Sequence, residues 1–175
     1  RLKTKKKYDK EGAIAKSGKI NKKILEKKLK QFFSQGTNIK SFDVKDFDIS
    51  FAKKLSLKDG AATLIEFTAR IIVNYFINHN HLLNDLFRPI SVTGGGSKNE
   101  FLLKRLNDLG TALDSKGIFQ TALMFYSIDN AFDGDFIESQ AFAYLSIRSY
   151  LGLPISFPET TGCKTSSTGG KIVKY

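Results

Sequence analysis

Residues 90–103, ISVTGGGSKNEFLL, restrict the fold more than any other stretch of the chain. Ile90 and Val92 read as a short buried strand, and three consecutive glycines, Gly94, Gly95 and Gly96, follow at once. Ser97 or Asn99 then caps a helix whose apolar positions Phe101, Leu102, Leu106 and Leu109 recur at helical spacing. Strand, glycine turn and helix in succession gather backbone N–H groups and a helix N-terminus, a ready anion site. Glycine lets a ligand reach the backbone because no Cβ intervenes. Neither standard phosphate motif fits. Gly96 is followed by Ser97, Lys98 and Asn99 rather than by the lysine and hydroxyl residue of a P-loop, and Asn99 sits where G-x-G-x-x-G needs its third glycine. On the residues alone, a left-handed turn without a ligand fits as well as a nucleotide loop.

The 175 residues, 41% of them hydrophobic, suffice for one domain with a real core. A single cysteine, Cys163, excludes an internal disulfide and suits a reducing compartment. The longest apolar run, residues 71–77, is broken by Asn74 and falls far short of the ~20 residues of a membrane span. No secretory signal is readable, and the chain is read as cytoplasmic. Arg1 rather than Met stands first, the mark of a piece of something longer.

The net charge of +11 raises a nucleic-acid partner, but its distribution speaks against one. Residues 1–30 hold thirteen Lys and Arg against three acids, net +10, so the remainder is nearly neutral at +1. A basic block of this kind binds phosphate backbones non-specifically, and it serves equally as a solvated face. No aromatic side chains interleave with Lys3 to Lys7, and no RNA-binding signature is present.

Along the chain, residues 1–19 form a polar, glycine-punctuated leading segment read as turns. A helix over 21–33 carries the stripe Ile20, Ile24, Leu25, Leu29, Phe32 and Phe33, with lysines opposite. A longer helix over 57–78 opens on Ser56 and Asp59, an acidic variant of the capping box, and lines Ala61, Leu64, Ile65, Thr68, Ala69, Ile72 and Phe76 along one side. The helix after the glycines ends near Gly110, residues 110–121 read as an insertion, and 122–126 as a strand. A third helix, over 136–151, has Gly152 as its C-cap, and 171–174 add a last short strand.

Candidate chemistry is sparse. His79 and His81 point in different directions, and no Cys or acidic cluster completes a metal site with them. After an Asp-dense loop that includes Asp129, the carboxylates Asp133, Asp135 and Glu138 lie before and inside the first turn of the third helix. Carboxylates there satisfy the helix dipole; they also suit Mg²⁺ through water, or sugar hydroxyls. Glu138 sits beside small residues in ESQAFA, where a carboxylate on a close-packed helix face needs a reason to be present. Arg70 and Arg148 read as surface ion-pair partners worth little. No Ser-His-Asp set or Cys-His pair is present.

Five segments, in order, resemble the C-terminal half of the anhydro-N-acetylmuramic acid kinase family, bacterial cell-wall recycling enzymes of the actin-like sugar-kinase superfamily. YDKEGAIAKSGKIN (8–21) is similar to that family's YDxxGxxAxxGxxN segment, and DGAATLIEFTARII (59–72) to its ATLTELTA helix. VTGGGSKNEFL (92–102) resembles its CGGGxxNxxL adenosine loop, GDFIESQAFAYLS (134–146) its GDxxEAxAFAWLA helix, and LGLPISFPETTG (151–162) its GLPxNLPxVTG tail.

The resemblance implies an α/β fold: the C-terminal lobe of an actin-like, ribonuclease H-like ATPase, helix-rich around a small, incomplete sheet. Residues 1–175 would form the nucleotide-side lobe of a two-lobe kinase. ATP with Mg²⁺ would phosphorylate the 6-hydroxyl of the anhydro-amino-sugar while water opens its ring. Gly94, Gly95, Gly96 and Asn99 would bind nucleotide, and Glu138 would face the sugar. The family's phosphate loops and catalytic aspartate lie upstream of this segment, so no catalytic base is carried onto any residue here. The N-terminal half of the kinase, on the same or a separate chain, would be the partner, with homodimerisation left open. Departures accompany the matches: Asn38-Ile39 for the family's glycine-arginine pair, Ala131 for a turn glycine, and Ser139 for the Ala after the sugar-facing Glu. A non-catalytic remnant that still holds nucleotide or a partner is the alternative.

Overall fold

A computed structural model describes residues 8–34, 47–78, 89–114, 123–127, 134–171 and 173, with Ile77, Ala112, Leu113, Asp114 and Asp135 described by their backbone only. The departures at Asn38-Ile39 and Ala131, the pair His79 and His81, and Asp129 and Asp133 lie outside the described residues. Among them the fold is a helix-rich α/β arrangement on a small parallel sheet of two strands.

The described part of the leading segment, residues 8–19, holds more helix than its turn-like sequence suggests. A single 3-10 turn, Lys10–Gly12, runs into the short helix α1, Ala13–Lys16. Asp9 makes this possible: its carboxylate accepts the N–H groups of Ile14 at 2.8 Å and Ala15 at 3.1 Å, donors that a helix start leaves unpaired. Helix α2, Lys22–Ser34, is capped by Asn21, whose Oδ1 accepts the Ile24 N–H at 3.1 Å. Its expected stripe holds, with Leu25, Leu29 and Phe32 buried and Ile20, Ile24 and Phe33 half-buried.

Helix α3, Leu57–Asn78, is the spine of the packed region. Ser56 Oγ accepts the Asp59 N–H at 3.2 Å, as a capping residue should. Asp59, however, accepts from the backbone N–H of Lys19 at 2.7 Å, tying the leading segment to the helix start. That N–H, with Ser56 second, holds the Asp59 carboxyl below the usual aspartate range. Thr63 Oγ1 adds a second tie by accepting the Asn21 N–H at 3.0 Å.

The C-terminal half of the expected α3 stripe holds, with Ala69 buried and Ile72 and Phe76 packed against the same cluster. In the N-terminal half Ala62, Thr63, Glu66 and Phe67 are buried instead, whereas Ala61, Leu64 and Ile65 are half-buried and Thr68 is exposed; Val73 is buried too. The central helix is packed from two sides, so one narrow stripe does not describe it. Phe67 joins Leu25, Leu29 and Phe32 of α2 in one apolar cluster. On the other side Ala69 and Val73 meet Leu106, Leu123 and Phe125 in a second cluster.

Strand β1, Ile90–Val92, helix α4, Glu100–Asp114, and strand β2, Phe125–Ser127, form a parallel strand–helix–strand unit, with Ile90 opposite Phe125 and Val92 opposite Ser127. A helical crossover is what a parallel pair requires. Helix α4 continues past Gly110 to Asp114, so the first part of the expected insertion is helical and residues 115–121 lie outside the described residues. Asn107 fastens α4 to β2. Its Nδ2 donates to the Phe125 carbonyl at 2.9 Å and its Oδ1 accepts the Phe125 N–H at 2.8 Å, so one side-chain amide imitates a neighbouring strand.

Helix α5, Gly134–Tyr150, is followed by Gly152 in the left-handed conformation at φ +70° and by the single turn α6, Pro158–Thr161. The tail closes through an antiparallel bridge between Ser156 and Ser167. Lys171 is not in a strand, and of the expected 171–174 strand Ile172 and Lys174 lie outside the described residues.

Candidate functional site

The glycine turn stands at the C-terminal end of β1 and the N-terminal end of α4. Gly94 takes φ +75°, a conformation that residues with a Cβ rarely adopt, and turns the chain out of the strand. Ser97 closes the turn: its N–H and its Oγ both donate to the Gly94 carbonyl, at 3.0 and 2.7 Å, and it is 3% exposed. Asn99 rather than Ser97 caps α4, since its Oδ1 accepts the Leu102 N–H at 3.0 Å. Ser97 therefore shapes the turn and Asn99 starts the helix.

The three glycine N–H groups have no acceptor among the described residues, and Gly95 and Gly96 are exposed. Among the described residues a Cβ built on Gly94 or Gly95 would meet nothing within 4 Å, and one on Gly96 only Leu102 Cδ2 at 3.9 Å. Open space over N–H donors without described acceptors leaves room for a ligand to approach the backbone. Electrostatics refine this. Glu100 is exposed in the first turn of α4 and places a negative charge where the helix dipole would otherwise attract an anion. Lys98, also exposed, places a positive charge two residues before it, so the mouth of the turn carries both signs.

The turn is held from behind. Gly12, at φ +73°, packs so closely on the Asn99 side chain that any Cβ there would overlap it and would stand 2.7 Å from Phe101 Cβ. The leading segment and the α4 cap thus form one joint. Deeper in, Glu66 of α3 is 2% exposed and receives Arg70 Nε at 3.0 Å and Arg105 Nε of α4 at 2.7 Å. Burial pushes the Glu66 carboxyl up, and the hydrogen bonds from Arg105 and Arg70 reverse this, leaving it below the usual glutamate range. Arg70 is accordingly more than a surface partner: Nη1 pairs with exposed Glu26 at 2.7 Å while Nε serves the buried carboxylate. Arg148 has no acidic partner among the described residues. It donates to the Pro154 carbonyl at 2.8 Å and the Tyr144 hydroxyl at 3.3 Å.

Gly94, Gly95, Gly96 and Asn99 thus come together in one turn, with the Asn99 amide oxygen engaged as a cap. Glu138 stands apart. It lies exposed on α5 with no hydrogen bond or ion pair among the described residues, and the neighbouring Ala141 and Ala143 are exposed too. The close-packed surroundings expected for it are therefore absent among the described residues, because nothing described covers this part of α5. No group of three or more His, Cys, Asp or Glu is placed to hold a metal among the described residues. None of the described helices is long and apolar enough to cross a membrane. Sequence reasoning missed Glu66 and Asn107. For Glu66 a signal existed, an acid at helical spacing between Ala62, Ala69 and Val73 with Arg70 one turn on.

A parallel strand–turn–helix unit with an open glycine turn defines a chain of α/β class. Comparison with known proteins is more specific. The profile of the anhydro-N-acetylmuramic acid kinase family matches residues 1–175, and the chain belongs to that family. It is 42% identical to the anhydro-N-acetylmuramic acid kinase of Pelagibacter ubique over 98% of this chain and 44% of that protein. The kinases so named from Phenylobacterium zucineum and Brucella canis are 35% and 36% identical, each over 95% of this chain and 42% of theirs. The chain thus spans less than half the length of these curated relatives.

Proposed function

We propose that this chain supplies the nucleotide side of an ATP-dependent kinase. That kinase phosphorylates 1,6-anhydro-N-acetylmuramic acid and opens its anhydro ring with water, giving N-acetylmuramic acid 6-phosphate in the cytoplasm. One observation carries the reading: three glycine N–H groups without acceptors among the described residues, under open space, at the end of a parallel strand. In this proposal Gly94, Gly95 and Gly96 receive the adenosine portion of ATP, and Asn99 and Ser97 keep the turn in shape. Glu138 accepts hydrogen bonds from sugar hydroxyls. Mg²⁺, carried on the nucleotide phosphates, supplies neutralisation of the transferred phosphoryl charge. Residues 1–175 act as one lobe, the proton-transfer and phosphate-gripping groups belong to the other portion of the kinase, and this segment alone is inactive.

Calorimetric titration with ATP·Mg²⁺ tests the reading, alone and with the remaining portion of a relative's kinase. Gly95→Val adds bulk into open space at a position without positive φ, so the protein stays folded while ATP affinity falls at least tenfold. Unchanged affinity in the folded variant refutes the loop assignment. A second reading is a non-catalytic remnant that retains nucleotide or partner binding. Nucleotide binding without sugar phosphorylation, even with the other portion present, would select it.

A further inference from the structure

Residues 9–21 link the start of α4 to the start of α3, and the two ends are seated alike. At the α4 end a Cβ on Gly12 would overlap the Asn99 side chain and press on Phe101. At the α3 end a Cβ on Gly18 would overlap the Lys58 carbonyl and stand 2.9 Å from the Asp59 nitrogen. The Lys19–Asp59 and Asn21–Thr63 hydrogen bonds fasten this second end. Between the glycines lies α1, with Ala15 fully buried and two of its N–H groups held by Asp9. Glu11 and Gly12 are left-handed in succession, at φ +57° and φ +73°. A glutamate in that conformation persists only where its surroundings impose it. Among the described residues the Glu11 side chain reaches only the exposed Lys10, at 3.6 Å. The close seat of Gly12 on α4 is therefore what holds the bend.

We propose that this segment is a strut that sets the geometry of the glycine turn, with Gly12 as its positioning residue. Gly12 acts through Asn99. The Asn99 side chain fills the space against Gly12, and its backbone N–H donates to the Gly96 carbonyl at 3.1 Å. Gly12 therefore lies one side chain and one hydrogen bond from the last glycine of the turn. Because Gly18 anchors the other end, the turn is fixed relative to α3 as well as to its own helix. Only the effect on ATP rests on the reading of the turn as a nucleotide seat; the geometry of the turn does not. A glycine that merely allowed close packing would act through overall stability alone. Gly110, near the other end of α4, gives the comparison: a Cβ there would stand 2.5 Å from the Leu123 carbonyl oxygen and 3.0 Å from Leu123 Cβ.

The test compares Gly12→Ala with Gly110→Ala in the 175-residue chain, each studied equally far below its own melting temperature. Two readouts are taken. One is the amide resonances of Gly94 and Gly95; the other is calorimetric titration with ATP·Mg²⁺, alone and with the remaining portion of a relative's kinase. Gly12→Ala should move both resonances and weaken ATP by at least about tenfold, whereas Gly110→Ala leaves the resonances in place and the affinity within about twofold. Asp9→Ala frees the start of α1 without adding bulk and should act in the same direction as Gly12→Ala. It decides the matter where Gly12→Ala does not fold. Resonances unmoved in the folded Gly12→Ala chain, or moved as far by Gly110→Ala, overturn the proposal. So does an unchanged ATP affinity in Gly12→Ala when the parent binds. Resonances that move in Gly12→Ala alone, in a chain whose parent binds no ATP under either condition, uphold the strut and refute the proposed function, so the two fail separately.

Discussion

The region from α1 to β2 and the region from α5 to the tail use similar proportions of apolar residues to different ends. In the first, α3 is packed from both sides, and its one buried carboxylate is matched by two guanidinium groups. In the second, the apolar residues of α5 face solvent, and the described polar bonds run within the element and its tail. Apolar content therefore does not identify a core. What matters is whether the chain itself supplies the opposing surface.

Substitutions sharpen this contrast, and the largest effect belongs to the packed region. Leu106 is 1% exposed among Ala69, Val73, Leu123 and Phe125, so Leu106→Ala should cost about 3 kcal/mol in denaturant unfolding. A loss below about 1 kcal/mol would mean that this cluster is not a tight core.

Next comes Glu66→Ala, which takes from Arg105 its buried partner at the α3–α4 contact and should cost about 2 kcal/mol, less than a fully buried pair because Arg105 keeps its bond to Asp108 and some access to water. The same group sets an acid limit. Its folded pKa lies below its unfolded value near 4.3, so in that interval the unfolded chain binds the extra proton. The stability Glu66 contributes is present above about pH 4.3 and is lost as the pH falls through the folded value. Urea midpoints measured across pH 3–6 should fall on the acid side in the parent and less steeply in Glu66→Gln.

The smallest effect is the informative opposite. Ile147→Asp in the isolated chain should change stability by less than about 0.5 kcal/mol, because Ile147 is already 61% exposed. A large loss would show that α5 is buried after all and would dissolve the distinction between the regions.

Much of this organisation is legible in the sequence. The strand, glycine turn and helix at residues 90–103 follow from local rules, as do the α2 stripe and the Ser56 cap. Ala69, Ile72 and Phe76 of the expected α3 face do line the core, but its first half differs because Leu64 and Ile65 are strongly apolar and Glu66 is charged, and a pattern of hydrophobicity cannot register that Arg105, thirty-nine residues on, makes Glu66 buriable. Strand β2 was expected over 122–126 and occupies Phe125–Ser127, since the Asn107 amide and not local propensity decides where pairing begins. The candidate site was half legible. The turn glycines and Asn99 are contiguous, so the sequence contains their geometry. Glu138 depends on whatever covers α5, which no pattern within these residues describes.

The Asn107 bracket also bears on the order of folding. One amide on α4 meets both the N–H and the carbonyl of Phe125, and Phe125 also pairs with Ile90 of β1, so both surfaces that fix the register of β2 precede it in the chain. A chain emerging from the ribosome has β1 and α4 in hand before β2 arrives, which makes vectorial synthesis and spatial assembly run in the same direction.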